Sequence, residues 1–142
     1  MRQKNIVTLT MNPAVDISSS VGRVVPEEKL RCDPPVRQPG GGGINVARAL
    51  RKLGGASLAL YLSGGRNGEF IHDFLIDEGV ETRVQDIHGN VRENVTILEE
   101  SSGGQYRFGM PGPLQDPPAL CSKREHMARL HQIRRRRCRV RQ

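Results

Sequence analysis

The sequence predicts an α/β fold with a small β element beside its main sheet. Short β-type apolar runs alternate with segments of helical periodicity in the order strand, helix, strand, helix, strand, the pattern of a sheet with helices on its faces. Other strand-like segments are interrupted by Pro and Gly, which suit peripheral rather than central strands. The 142 residues are 36% hydrophobic, low for a globular chain but enough for one domain with its own core.

Ile6 to Leu9 is a short apolar run that ends at Asn12-Pro13. Val15 to Arg37 alternates and is cut by Gly22, Pro26, Pro34 and Pro35, which predicts two short peripheral strands. Gly40 to Gly43 precede a helix on which Val46, Leu50 and Leu53 repeat at i, i+4, i+7 as an apolar face. Arg48, Arg51 and Lys52 crowd toward its end, where the dipole is negative, and Gly54-Gly55 stop it. Ser57 to Leu62 reads as a buried strand. Glu69 to Glu78 reads as a helix with Ile71, Phe74 and Leu75 inward and Gly79 as its stop. Thr82 to Ile87 is a strand, and Asn94 to Glu99 with Gln105 to Phe108 form a hairpin around Ser101-Ser102-Gly103-Gly104. His72 and His88 have no visible partner and read as surface or interfacial residues.

The net charge of +7 suggests a nucleic-acid partner until it is located. Basic and acidic side chains balance in residues 1–114, so the whole excess sits in residues 115–142 and the body is electrically ordinary. Met1 to Thr10 lacks the long apolar run of a signal peptide, and the longest apolar stretch, Ala56 to Leu62, is far too short to span a bilayer. A cytoplasmic protein without a membrane partner is the expectation. Cys32, Cys121 and Cys138 make no even framework and no C-x-x-C pair, so free thiols are expected.

Glycines before a helix let a ligand approach the backbone, and the helix start offers unpaired N–H groups to an anion or a hydroxyl-rich ligand. The nucleotide motifs fail here. Asn45 and Val46 stand where a G-x-G-x-x-G pattern or a phosphate-binding P-loop would need glycine. A plain glycine turn before a helix remains a reading of the spacing alone.

The wider pattern is more specific. Gly41-Gly42-Gly43-Ile44-Asn45-Val46-Ala47, followed at family spacing by Gly54 and Gly64, resembles the amino-terminal signature of the ribokinase-like carbohydrate kinases. The resemblance covers about residues 4–114. It implies the amino-terminal half of a Rossmann-like ribokinase fold with a small β-sheet lid, at about residues 16–37 and 90–110. In that family the glycines and the Asn bind sugar, so Gly41, Gly42 and Asn45 become candidate substrate ligands. Thr8 to Asp16 resembles the first strand and the following Asp, whose carboxylate accepts from sugar hydroxyls. Pro26 to Cys32 resembles the lid of the phosphofructokinase branch, where a Lys reaches the sugar phosphate, here Lys29. Val91-Arg92-Glu93-Asn94-Val95 resembles the segment whose Arg holds that phosphate by forked hydrogen bonds, here Arg92.

The four glycines and the Lys29-Leu30-Arg31-Cys32 lid look like the minor type of 6-phosphofructokinase. Many 1-phosphofructokinases and tagatose-phosphate kinases carry Lys where Gly42 stands, and they remain close alternatives. The implied activity is ATP-dependent phosphorylation of a hexose phosphate, fructose 6-phosphate to the bisphosphate, by a homodimer joined through its lid strands. The relatives' second half binds ATP and Mg2+ and carries Gly-Ala-Gly-Asp with the catalytic base. No such motif occurs in these 142 residues, so the sequence offers no catalytic, nucleotide-binding or metal-binding residue and predicts a chain inactive by itself.

Past Met110-Pro111-Gly112-Pro113 the text turns Arg-rich, as GC-rich coding DNA reads in a shifted frame, and a frameshift near Leu114 is the expectation. A nucleic-acid role for Arg134 to Arg141 lacks interleaved aromatics, and Cys121, His126, His131 and Cys138 match no standard zinc spacing. A non-catalytic sugar-phosphate-binding fragment is the remaining alternative.

Overall fold

A computed structural model describes residues 6–113, so the expectations placed on the tail (frameshift, Arg patch, Cys/His set) lie outside the described residues. In chain order the elements are β1 (Ile6–Thr10), β2 (Ala14–Val21), β3 (Val36–Gly40), α1 (Gly42–Lys52), β4 (Ser57–Ser63), α2 (Gly65–Asp77), β5 (Glu81–Asp86), β6 (Arg92–Glu99) and β7 (Gln105–Gly109). They form two sheets. One is parallel, in the order β1-β4-β5. The other is mixed, in the order β3-β2-β6-β7.

Strand β4 is central to the parallel sheet and buried along nearly its whole length, which is why its text is a continuous apolar run rather than an alternating one. Ala59 and Tyr61 point to one face and pack with Ile44, Ala47, Ile71 and Leu75. Leu58, Leu60 and Leu62 point to the other, with Val7, Met11 and Ile87. Both described helices lie on the Ala59/Tyr61 face.

Helix α1 differs from its periodicity. Val46 is 51% exposed and Leu53 84% exposed, while Ile44 and Ala47 are fully buried. Close approach is the reason. A Cβ at Gly43 would lie 2.7 Å from the Leu9 carbonyl oxygen, so the helix meets β1 at a glycine, and the face that carries Gly43, Ile44 and Ala47 turns inward while Val46 and Leu53 turn outward. Helix α2 likewise begins at Gly65, four residues before the predicted Glu69, because Gly68 lies against Ser63 where any side chain would collide. Ile71 and Leu75 are its buried anchors, as predicted.

In the second sheet β2 and β3 pair antiparallel, as do β6 and β7, whereas β2 and β6 run parallel. The β6–β7 hairpin matches its prediction. Residues 22–35 hold no strand, and β3 starts only at Val36. Pro39 is tolerated there because β3 is an edge strand. The two sheets are tied through α2. Asn67 of α2 is buried; it accepts from Arg37 Nη2 of β3 at 3.4 Å and donates to the Val91 carbonyl beside β6 at 2.8 Å.

Two side chains differ from their predicted surroundings. His72 is not free, since its Nδ1 lies 3.1 Å from the hydroxyl of the buried Tyr61, whose pKa burial pushes up to about 12. Arg48 serves a partner rather than the helix dipole, making a forked pair with Glu78 at 2.7 and 2.9 Å and lying over the Phe74 ring. The Arg48 hydrogen bonds hold the Glu78 carboxyl below its ordinary range. A depressed folded-state value means that this pair stabilises the fold above the ordinary carboxylate range and stops doing so as pH falls through the depressed value. Glu78→Gln should therefore cost about 1 kcal/mol at neutral pH. Paired melts of wild type and variant between about pH 7 and pH 3 should converge toward the acid end.

Candidate functional site

The predicted sugar-binding residues fall at the junction of the two sheets. Strand β3 ends at Gly40 and α1 starts at Gly42, so the glycine run connects the mixed sheet to the first helix. Gly41 has φ +122, in the region that favours glycine, and a Cβ there would also meet the Thr10 methyl at 2.6 Å. The N-cap residue, Gly41, has no side chain to cap the helix. Thr10 Oγ1 accepts the Ile44 N–H at 3.1 Å from below. Gly42 is exposed, and a Cβ there would meet nothing within 4 Å. The fold thus requires glycine at 41 and 43 and has no steric need for it at 42. Asn45 follows with its side chain exposed.

Asp16 stands on β2 opposite Gln38 of β3 and Asn94 of β6. Its carboxylate lies against the Gly40 backbone, where an added Cβ would sit 2.3 Å from Oδ2. Its Oδ1 accepts from Asn94 Nδ2 at 2.9 Å. The carboxamide of Asn94 accepts in turn from Arg92 Nη1. Arg92 is half-buried, its stem flanked by Gly112 of the returning Met-Pro-Gly segment, and its Nε has no hydrogen-bond partner among the described residues. Asp16 and Asn94 also line a cavity of about 400 Å³ with Thr96, Arg107 and Gly109. Arg107 brings a second guanidinium to that cavity, held by Gln105 at 2.8 Å.

Asp16, the glycine run and Arg92 are therefore gathered. Lys29 is not. It is exposed in the 22–35 connection and makes no hydrogen bond or ion pair among the described residues. Sequence reasoning missed Asn94, Gly40 and Arg107 as parts of the site. Asn94 stood inside a quoted motif, yet nothing local marked it, because its partner Asp16 is reached only through the parallel β2–β6 pairing. The arrangement presents a carboxylate for hydroxyl groups and guanidinium groups for an anion, a combination suited to a phosphorylated polyol. Among the described residues no group of three or more His, Cys, Asp or Glu can hold a metal ion, and no helix is long and apolar enough to cross a membrane.

The sequence profile of the pfkB family carbohydrate kinases matches residues 5–123. The chain belongs to this family. Among its pfkB relatives, the ATP-dependent 6-phosphofructokinase isozyme 2 of Mycobacterium tuberculosis is 52% identical over 108 residues, covering 76% of this chain and 32% of that protein. The 1-phosphofructokinase of Bacillus subtilis is 36% identical over 108 residues, covering 76% of this chain and 35% of that protein. A crystal structure of Escherichia coli phosphofructokinase-2 in complex with fructose-6-phosphate superposes with a TM-score of 0.79 at 40% identity, covering 88% of this chain and 41% of that one. The chain thus spans about a third of the length of the curated relatives it matches. The ribokinase-like expectation for the fold holds.

Proposed function

We propose that this chain forms the sugar-phosphate-binding part of an ATP-dependent 6-phosphofructokinase and takes fructose 6-phosphate as its ligand. The observation that carries this is the chain of hydrogen bonds from Asp16 through Asn94 to Arg92, beside the open helix start at Gly41-Gly42. The Asp16 carboxylate accepts from sugar hydroxyls, the Asn45 carboxamide addresses another, and the backbone at Gly41 and Gly42 admits the sugar closely. Arg92 takes the phosphate by charge-assisted hydrogen bonds, and Lys29 adds a second positive charge from the exposed connection. ATP with Mg2+ supplies the phosphoryl group, and the part of the relatives beyond this chain binds it. The mixed sheet serves as a lid and pairs with that of a second copy. Exposed Val36, Leu98, Tyr106 and Phe108 on its strands supply the apolar surface for that contact.

Thermal melts and calorimetry of the 142-residue chain test the reading. Fructose 6-phosphate should raise the melting temperature, by about 2.7 kcal/mol of added stability at a hundredfold excess over Kd. ATP alone should not. Arg92→Ala should weaken binding roughly 10- to 100-fold, the value of one charge-assisted contact. A larger shift with fructose 1-phosphate or tagatose 6-phosphate would move the assignment to those branches, and no shift with any sugar phosphate would overturn it.

A further inference from the structure

We infer that Asn94 is a positioning residue that keeps Asp16 and Arg92 from pairing with each other. The inference rests on the reading of this site as a sugar-phosphate site, and it assigns a role to a residue that need not touch the ligand.

Asp16 and Arg92 carry opposite charges on neighbouring strands. Asp16 is directly opposite Asn94, and Arg92 is opposite Ala14, so the two are diagonal neighbours in the β2–β6 ladder. That spacing is within reach of a long side chain, and an ion pair between them would be the default outcome. Such a pair would be self-defeating, because each group would spend on the other the hydrogen bonds meant for a ligand.

Asn94 occupies the space between them. A carboxylate can only accept and a guanidinium can only donate, so a single orientation of the carboxamide satisfies both. The amide nitrogen donates to Asp16 Oδ1 at 2.9 Å, and the amide oxygen accepts from Arg92 Nη1. No described ion pair joins Asp16 to Arg92; the pairs present are Arg37–Glu93, Arg48–Glu78 and Lys52–Glu78. Each end of the bridge keeps free capacity. Asp16 Oδ2 lies against Gly40 and takes no part in the bridge. Arg92 meets the bridge through Nη1 alone; its Nε is buried without a partner among the described residues, so Nη2 is the guanidinium atom left for a ligand. A neutral donor–acceptor thus separates two charges and leaves one edge of each available, the carboxylate for hydroxyls and the guanidinium for phosphate.

The prediction is a reversal of sign in a double-mutant cycle on fructose 6-phosphate affinity, measured calorimetrically on the full chain. Asn94→Ala should weaken binding roughly 10- to 100-fold, as Arg92 folds onto Asp16. Asp16→Asn weakens binding in the wild-type background. In the Asn94→Ala background it should instead be neutral or restore affinity, because it releases Arg92. Asn94→Asp keeps the volume and the acceptor for Arg92 but sets a carboxylate against Asp16, and it should lose affinity without loss of folding. Additive losses in the cycle, or unchanged affinity in Asn94→Ala, would overturn the inference.

A second readout needs no ligand. The Arg92 side-chain Nε–H resonance of the free chain should shift in Asn94→Ala and return when Asp16→Asn is added. A resonance that stays put refutes the spacer role even if fructose 6-phosphate does not bind. Absence of binding with a responsive resonance instead refutes the sugar reading and supports the spacer.

Discussion

Gly43→Ala is expected to lower the melting temperature by roughly 10–20 °C, the equivalent of about 2–3 kcal/mol in a domain of this size. The added Cβ would lie 2.7 Å from the Leu9 carbonyl oxygen and 2.6 Å from Thr10 Oγ1. Neither neighbour can yield cheaply. The Leu9 carbonyl belongs to β1, which pairs with β4, and Thr10 Oγ1 holds the Ile44 N–H. Relief requires α1 to move off β1, which would open the packing of Ile44 and Ala47 against Ala59 and Tyr61. Chemical and thermal denaturation of the variant measure the loss. A melt equal to wild type would mean that helix and strand are not in the close contact described.

Gly42→Ala, one residue earlier, should do the opposite. The site around Gly42 is open, with nothing within 4 Å of the added methyl, and Ala is a better helix former than Gly. Stability should be unchanged or slightly higher. Affinity for fructose 6-phosphate should fall roughly 10- to 100-fold, because a methyl group intrudes where the sugar meets the backbone and overpacking costs about 1–3 kcal/mol. This pair of outcomes separates a ligand-binding loop from a plain turn before a helix. If Gly42→Ala binds as tightly as wild type, the glycine at 42 serves neither fold nor ligand, and the proposed sugar contact at the helix start fails.

The α/β class was legible because element type depends on local pattern. A continuous apolar run such as Ser57 to Leu62 and the inward pair Ile71 and Leu75 carry their periods in a dozen residues or fewer. The inward face of α1 was not legible. Val46, Leu50 and Leu53 form the more apolar stripe, yet the helix buries Ile44 and Ala47, because the close contact of Gly43 with β1 sets which face turns inward and periodicity does not record distance. The start of α2 was misplaced for a related reason, since Gly65 and Gly68 look like loop residues until Asn90 is seen against the first and Ser63 against the second.

The sequence by itself determined the alternation of strands and helices, the glycine run before α1, and the positions of the charged residues Asp16 and Arg92 within long motifs. Those are properties of neighbours along the chain. The tertiary structure decided which of them meet. The β2–β6 pairing places Asn94 opposite Asp16, 78 positions away along the chain, seats the carboxylate on Gly40, and puts a carboxamide between two opposite charges. Only strand register can do this, because a hydrogen bond is fixed by distances of about 3 Å that no spacing along the chain encodes.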